Sequence, residues 1–286
     1  MTQVAVNGLL LGGIYALAGV GFALVWGVMN IINIAHGAFV MLGAYIAYWM
    51  FVLTGLDPFL AVPLSMASLF LFGYLAQRHV INYVIRAPVF MTLILTLGIN
   101  MIIVNLARLA FTADVRAVRT DYVGTSIAIG DVRLPLVRVA VFVVAVAIAT
   151  ALSMFLRRAR LGQAIRAARM DSDAALLCGV DIGRVYAVTF GISAALAGAA
   201  GTLVSTVMAI TPEMGLPFLA KAFAVTVLGG MGSVLGAIGG GIALGLIEST
   251  AASTLGGGYR DMAGYLVLIL VLVIKPTGMF GKEGFN

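Results

Sequence analysis

Charged side chains are scarce in this sequence. Only 10% of its 286 residues are Asp, Glu, Lys or Arg, while 62% are hydrophobic. A water-soluble domain carries about a quarter of charged residues, so this composition excludes an ordinary soluble domain. The chain is therefore expected to fold within a lipid bilayer.

The groups that serve redox, metal and nucleotide chemistry are also rare or missing. The sequence has one cysteine, Cys178, which cannot form an internal disulfide, and two histidines, which form no cluster with metal-ligand spacing. It lacks the Gly-x-x-x-x-Gly-Lys-Ser/Thr motif of nucleotide-binding loops. No pattern joins a nucleophile to a base, which disfavours an integral membrane enzyme. We expect no catalytic residue, no metal, no bound cofactor and no nucleic-acid partner.

What the sequence has instead is a series of long uncharged runs. A bilayer-spanning helix needs about 20 mostly apolar residues. The first run, Met1–Leu56, is long enough for two spans with a break near Asn30–Asn33. We predict an all-α integral membrane protein, a single domain over residues 1–286, with about eight transmembrane helices, or nine if Pro217–Met231 crosses fully. The further uncharged runs are Phe59–Gln77, Ala87–Ala107, Val139–Leu156, Val185–Pro212, Ala222–Ile247 and Met262–Ile274.

Basic residues indicate which loops face the cytoplasm, because cytoplasmic loops are enriched in Lys and Arg. The segment of about residues 157–184 is predicted to be cytoplasmic, and the segment of about 112–138 extracytoplasmic, with a β-hairpin at Ser126–Leu134 around Gly130-Asp131. An odd number of spans then places the N-terminus outside, which we favour. The other basic places assigned to the cytoplasm are the loop from Arg78 to Arg86 and the tail with Lys275 and Lys282.

The basic cytoplasmic loop has the pattern of a short amphipathic helix. Within Gly162–Leu177, Ile165 and Ala168 recur at helical spacing beside Arg166. Gly179 follows, as expected for the residue just after a helix C-terminus. From the charges alone, such a loop either sets the membrane topology or binds a cytoplasmic partner.

Four segments, in order, resemble those of a known transporter family. They are Asn30-Ile-Ile-Asn-Ile-Ala-His-Gly-Ala, Gly162-Gln-Ala-Ile-Arg-Ala-Ala-Arg-Met-Asp, Leu228-Gly-Gly-Met-Gly-Ser-Val-Leu-Gly-Ala and Lys275-Pro-Thr-Gly-Met-Phe-Gly. Together they are similar to segments of the permease subunits of branched-chain amino-acid ABC importers. The resemblance extends from about Gly8 to Gly281 and favours the partner-binding interpretation of the basic loop.

The resemblance implies a multi-pass permease subunit of an ATP-driven importer in a bacterial inner membrane. Its solute would be a branched-chain amino acid or a related small molecule, such as an amide, urea or an aromatic acid. The implied partners are a second permease, homologous or identical, two cytoplasmic ATPases that bind the ATP, an extracytoplasmic solute-binding protein and membrane lipid. The residues that the resemblance assigns to ATPase coupling are Gly162, Ile165, Arg166, Ala167, Asp171, Ala175, Gly179 and Asp181.

Polar residues interrupt the first uncharged run. Asn30, Asn33 and His36 recur every three residues and would share one face of a continuous helix. On one interpretation, Asn33 caps the second helix and His36 is a hydrogen-bonded packing residue. On the other, the helix is broken at the translocation pathway, with Asn30, Asn33, His36 and Gly37 beside it. The pattern favours the capping role and leaves the pathway role open.

Small and ionisable residues mark the last third of the chain. Gly232, Gly236 and Gly240 recur at four-residue spacing, which is typical of close helix packing. Lys221 and Glu248 lie near predicted ends of spans, where snorkelling to the interface accounts for them better than a pathway role.

The main alternative function is an ion-coupled secondary transporter or a channel. Ion-coupled transporters place ionisable relays near the membrane midplane, whereas the predicted central spans are almost bare of such groups. The sequence therefore favours the ATP-driven importer.

Overall fold

The computed structural model describes residues 1–85, 87–120, 122, 124–130 and 132–275. Arg86, Asp131, Lys282 and the terminal motif after Lys275 lie outside the described residues. The helices are α1 Thr2–Met29, α2 His36–Thr54, α3 Pro58–His79, α4 Val89–Phe111, α5 Leu136–Arg158, α6 Arg160–Met170, α7 Ser172–Leu177, α8 Ile182–Val204, α9 Gly215–Gly229, α10 Val234–Thr254 and α11 Arg260–Ile274. Short 3-10 turns lie at Ile81–Tyr83, Pro212–Met214 and Gly257–Tyr259.

Eight helical segments of the described chain are long and apolar enough to cross a membrane. They comprise α1, α2, α4, α5, α8 and α10, together with Pro58–Tyr83 and Gly257–Ile274. The prediction of an all-α, multi-pass membrane protein with about eight spans is confirmed.

Helix α9 is short, yet it connects the two faces of the molecule. At one end of α1, Gln3 Nε2 donates to the carbonyl of Arg133, and Gln3 Oε1 accepts from the Arg133 amide at 2.7 Å. At the other end, Gly27 packs against Gly232, in the turn that follows α9. The segment before α9 pairs with the hairpin face, through a β-bridge between Ile210 and Arg116. The chain between Ile210 and Gly232 therefore passes from one face to the other.

The same contacts place the segment predicted to be cytoplasmic and the segment predicted to be extracytoplasmic on opposite faces of the molecule. A helix of 28 residues is about 42 Å long at 1.5 Å per residue, so the ends of α1 lie on opposite faces. The start of α1 shares a face with the hairpin, and its end shares a face with α6, since Arg169 of α6 lies against Gly232. This arrangement agrees with an extracytoplasmic N-terminus when the loop of residues 157–184 is cytoplasmic.

Helices α1 and α8 form the centre of the bundle. In their most apolar 18-residue stretches, 89% and 94% of the residues are buried, compared with 17% in α4. Glycine permits the close contacts of α1: a Cβ atom on Gly12 would lie 2.7 Å from the Cα atom of Ile242 in α10. Helix α4 instead exposes large apolar side chains suited to lipid, including Leu109.

The predicted glycine stripe divides into a turn and a helix face. Gly236 and Gly240 lie on α10 and pack against Gly229 and Val225 of α9, within the subunit. Gly232 lies outside the helix, in the preceding turn, with a φ of +80° that glycine adopts without strain. The four-residue spacing is therefore helical only for the last two glycines.

The predicted extracytoplasmic hairpin is present. Strands β1, Ser126–Ile129, and β2, Val132–Pro135, pair antiparallel, with Ser126 opposite Pro135. Gly130 in the turn has a φ of +59°, a left-handed conformation typical of tight hairpin turns. The Gln3 hydrogen bonds fix this hairpin to the start of α1.

Candidate functional site: the cytoplasmic helix pair and the buried charge cluster

The cytoplasmic segment forms two helices rather than the single helix predicted from Gly162 to Leu177. Helix α6 ends at Met170, and Asp171 adopts an extended conformation with φ −163° and ψ 112°. Its Oδ1 atom accepts hydrogen bonds from the amides of Asp173 and Ala174, both at 2.9 Å. An aspartate that caps the following helix competes with continuation of the preceding one, which is why the helix breaks here.

Helix α6 is amphipathic, as the sequence indicates. Gly162, Ile165 and Ala168 are buried on one face, with Ile165 only 1% exposed. Gly162 allows that face to approach α5 closely, because a Cβ atom there would lie 2.6 Å from the Cα atom of Leu156. Ala167 is half-buried, whereas Arg166 is exposed and donates to the carbonyl of Arg157 at 3.3 Å.

Arg169 joins α6 to the turn before α10. Its guanidinium lies against Gly232, which in turn packs on Gly27 at the end of α1. Partial burial of this guanidinium lowers the pKa of Arg169 below its usual value. A displacement of α6 would therefore directly move the C-terminal end of α1 and the N-terminal end of α10.

Helix α7 ends in a Schellman motif. The backbone amide of Gly179 donates to the carbonyl of Leu176 at 2.9 Å, and the backbone amide of Val180 donates to the carbonyl of Ala175 at 3.0 Å. Gly179 has a φ of +84°, and no atom lies within 4 Å of a Cβ built on it. Glycine is favoured here by its conformation rather than by lack of space. Two residues on, Asp181 caps α8 by accepting from the Arg184 amide at 3.0 Å.

Large apolar side chains protrude from the cytoplasmic helix pair. Met170 is 88% exposed, Leu177 is 89% exposed and Leu176 is 53% exposed. We call these three residues the α6–α7 apolar patch. A cleft of about 1220 Å³ lies next to it, between α7 and the loop after α3, with Tyr83, Leu176 and Gly179 in its walls. Several large apolar side chains exposed close together in the chain, beside a basic helix, are typical of a protein-binding surface.

The Asn30–His36 break agrees with the first interpretation of the sequence for His36 but not for Asn33. Asn30 ends α1 in the left-handed region, with φ 51°, and is exposed. The N-cap position of α2 is Ala35, and the cap makes no side-chain hydrogen bond, so the prediction that Asn33 caps this helix was wrong. The buried side-chain amide of Asn33 has no hydrogen-bond partner in the described part of the chain.

His36 is a packing residue in this conformation. It is completely buried, with Nε2 at 2.9 Å from the carbonyl of Ala18 and Nδ1 at 3.5 Å from Ser193 Oγ. The following residue, Gly37, packs against Gly215 at the start of α9. Asn30 is exposed while the other three are buried, so these four predicted pathway residues do not line one common surface.

Lys221 and Glu248 belong to a buried charge cluster that the sequence analysis missed. Glu248 Oε2 accepts from Tyr15 Oη at 2.7 Å, from Lys221 Nζ at 3.1 Å and from Arg260 Nε at 3.0 Å. Lys221 also pairs with Asp261 at 2.8 Å. The Glu248 side chain is 1% exposed, so the snorkelling prediction was wrong for it. Lys221 is also buried.

The cluster is balanced in charge and joins four helices. Its members come from α1, α9, α10 and α11, and two cations face two carboxylates. Lys221 lies 27 positions from Glu248 in the sequence, and Tyr15 lies 233 positions from it. Sequence periodicity compares only residues a few positions apart, so it could not find the cluster. The signal that could have revealed the cluster is the position of Lys221 and Glu248 beside long apolar runs, because an ionisable residue within the membrane requires a partner. The expectation that the central spans are almost bare of ionisable groups was thus incomplete.

Within the described ranges, no three His, Cys, Asp or Glu side chains come together as metal ligands. The site thus consists of an apolar and basic surface on α6 and α7, which is predicted to be cytoplasmic, and a paired charge cluster between the helices.

Known proteins similar to this chain include permease proteins for branched-chain amino acids. The family model for the branched-chain amino acid transport system permease component matches residues 4–274. The chain is 34% identical over 294 residues to the high-affinity branched-chain amino acid transport system permease protein BraD of Pseudomonas aeruginosa, covering 98% of this chain and 95% of that protein. It is 31% identical over 290 residues to the corresponding permease LivH of Escherichia coli, covering 96% and 94%.

A solved structure also shares the fold. The chain matches PsaBC from Streptococcus pneumoniae in complex with Fab with a TM-score of 0.51, covering 96% of this chain and 92% of that one. At 14% identity, this likeness concerns the fold alone.

Proposed function

The chain belongs to the family of permease components of branched-chain amino acid ABC transport systems, and we propose that it carries branched-chain amino acids into the cytoplasm of a bacterial cell. The permease role follows from family membership. The solute is proposed from the two relatives, whose names both specify branched-chain amino acids.

In the proposed assembly, this subunit pairs with a second permease, homologous or identical, in the inner membrane. Two cytoplasmic ATPases bind and hydrolyse the ATP, and an extracytoplasmic binding protein delivers the solute to the hairpin face. The lipid-suited surface of α4 supports the membrane setting.

The observation that carries the proposal is the α6–α7 apolar patch. Met170, Leu176 and Leu177 project from two short helices, of which α6 also carries exposed arginines. A partner that covers this patch removes apolar surface from water, and each large side chain buried contributes about 1.5–3 kcal/mol. In the proposal, the patch is the docking surface of an ATPase subunit.

Movement of the docked ATPases would reach the membrane helices by short routes. Gly162 packs α6 onto α5, Ile165 is buried on the same face of α6, and Arg169 connects α6 to the turn before α10. Asp171 and Asp181 cap α7 and α8, while Ala175 and Gly179 hold the Schellman motif between them. Because α6 packs closely and the ends of α7 are capped, we expect α6 and α7 to move as rigid bodies and to pass the movement on to the membrane helices.

The single thiol of the chain permits a direct test of docking. Cys178 is exposed beside Leu177. A membrane-impermeant maleimide should label it in inside-out vesicles and spare it in intact cells. Bound ATPase should protect it, whereas equal labelling with and without the ATPase would contradict the docking surface.

The transport proposal itself needs the complete system in proteoliposomes. Leucine uptake should require ATP, survive an uncoupler and depend on the binding protein. Uptake that persists without ATP and collapses with the uncoupler would instead support an ion-coupled carrier.

A further inference from the structure

A cleft opens on the hairpin face between α1, α5 and α10. Its inner part is about 140 Å³ and is lined by Leu10, Leu11, Ile14, Met208, Arg138 and Arg260. An outer part of about 590 Å³ continues from it under the hairpin, where Arg133 joins the wall. Arg138 borders both parts, so it lies where they meet. We call the whole feature the arginine cleft.

The charges of Arg133 and Arg138 in this cleft are not balanced by its own walls, whereas Arg260 pairs with Glu248 behind it. No acidic side chain is among the described residues that line it. The Arg138 guanidinium makes no hydrogen bond or ion pair with any described residue. Arg260 uses Nε for Glu248 and Nη2 for the Tyr15 hydroxyl, which leaves Nη1 without a partner in the described chain. Guanidinium groups with free N–H donors in a concave site favour a carboxylate or another oxyanion.

The remaining walls of the inner part are mostly aliphatic. Leu10, Leu11 and Ile14 come from successive turns of α1, and Met208 from the segment after α8. Asn7 and Ser249 add amide and hydroxyl oxygens that can accept from an ammonium group. An apolar pocket with a few convergent polar groups is the usual form of a small-molecule site. The combination fits a short aliphatic side chain joined to a carboxylate.

We propose that the arginine cleft is a weak transit site for the solute, in which Arg138 and Arg260 bind the carboxylate of an aliphatic amino acid and α1 contacts its side chain. The inference rests on the proposed function, since it names where this subunit first meets the solute. The cleft opens on the face where the binding protein would deliver its cargo. Weak binding suits passage, because a tightly held solute would leave slowly.

A phospholipid headgroup is the other source of an anion on this face. The small inner part favours the amino acid, because a volume of about 140 Å³ suits a few carbon atoms rather than an acyl chain. The experiment therefore includes a lipid readout.

The test uses the purified permease–ATPase complex at millimolar concentrations of the diazirine analogue of leucine. After irradiation, mass spectrometry should find the label in the peptide containing Asn7–Ile14 or at Val207 and Met208. Arg138→Ala should lower this labelling about tenfold, the loss expected for one charge-assisted hydrogen bond. Ala252→Phe, which fills the inner part without changing its charge, should also lower it.

Arg119→Ala is the matched control. Arg119 is an exposed arginine of the same loop face and does not line the cleft, so labelling should stay at the wild-type level. Unchanged labelling in Arg138→Ala would overturn the inference. So would a loss of copurified anionic phospholipid in that variant with labelling intact, which would assign the cleft to lipid. Leucine uptake by the wild-type complete system is measured in parallel, because its absence would refute the proposed function rather than the location of the site.

Discussion

Two regions of this molecule treat their charges in opposite ways. In the buried cluster, Lys221 and Arg260 both pair with Glu248, and Arg260 alone also lines the arginine cleft. On the cytoplasmic helix pair, arginines such as Arg166 stay exposed beside apolar side chains such as Leu177. Buried charges that are fully paired hold helices together, whereas exposed charges beside apolar groups leave a surface for another protein. The first region should therefore govern stability and the second association.

The largest effect is expected from the cluster. Glu248→Gln removes the carboxylate that Lys221 and Arg260 share, and breaking a buried ion pair on one side costs about 3–5 kcal/mol. The variant should lose most of its thermal stability in detergent, measured by unfolding temperature and by recovery in size-exclusion chromatography.

Glu213→Gln is the control for that variant. Glu213 pairs with Arg108 at 3.0 Å, but both side chains are about half exposed, so the pair contributes at most about 1 kcal/mol. If the two variants were equally stable, the cluster would not hold the helices and the comparison of the two regions would fail.

The docking surface should respond in association rather than stability. Leu177→Asp replaces an 89% exposed leucine with a charge, and a buried leucine contributes about 1.5–3 kcal/mol to an interface. Binding of the ATPase should weaken by about tenfold or more, measured by titration of the purified permease with its ATPase.

Val115→Asp provides the matching change on the other face, where the side chain is 70% exposed. Its ATPase affinity should equal that of the wild type, and neither variant should alter the unfolding temperature. An unchanged ATPase affinity in Leu177→Asp would remove the α6–α7 apolar patch from the interface.

A smaller effect is expected at the end of α7. Gly179→Val puts a β-branched residue at a φ of +84°, which costs about 1–3 kcal/mol of backbone strain, although space is available for the side chain. Faster hydrogen exchange of the Val180 amide and reduced uptake should follow. Gly179→Asn should be much milder, because asparagine tolerates the left-handed region. Equal effects of the two variants would indicate that space rather than conformation is limiting.

The smallest effect is expected at the hairpin face. The Tyr122 hydroxyl donates to Asp57 Oδ2 at 2.6 Å, and burial together with this bond raises the pKa of Tyr122 to about 12. Tyr122→Phe should cost at most about 1 kcal/mol. Because the folded pKa is the higher one, this contribution is complete below about pH 10 and is lost as the pH rises from about 10 to 12. Comparing the alkaline unfolding of the two proteins tests this, and parallel curves through that range would contradict it.

The spans, the hairpin and the amphipathic character of α6 could be predicted from the sequence because each depends on residues close together in the chain. The uncharged runs give the helices, and Gly130 gives the turn of the hairpin. The break between α6 and α7 also depends on a nearby residue, Asp171, which caps α7. It was not predicted, because the helical spacing of Ile165 and Ala168 favoured one continuous helix.

The failures concern contacts between distant residues or rare conformations. Glu248 gains its partners from α1, α9 and α11, which no periodicity reports. Asn33 has a side chain suited to capping, yet the chain enters α2 through Ala35 and leaves its amide buried. Gly232 continues a helical spacing although it lies in a turn.

The burial of α1 has a consequence for how the protein is made. This helix is synthesised first, whereas α8, α9 and α10, which pack against it, begin at residue 182 or later and are synthesised much later. The mean hydropathy of 2.0 in its most apolar 18-residue stretch suits α1 to lipid, but the Tyr15 hydroxyl has neither Lys221 nor Glu248 as a partner until α9 and α10 are made. We therefore expect membrane insertion and helix assembly to be separate stages for this chain. A ribosome that stalls before α10 leaves an inserted but unassembled helix, open to quality-control proteases of the membrane.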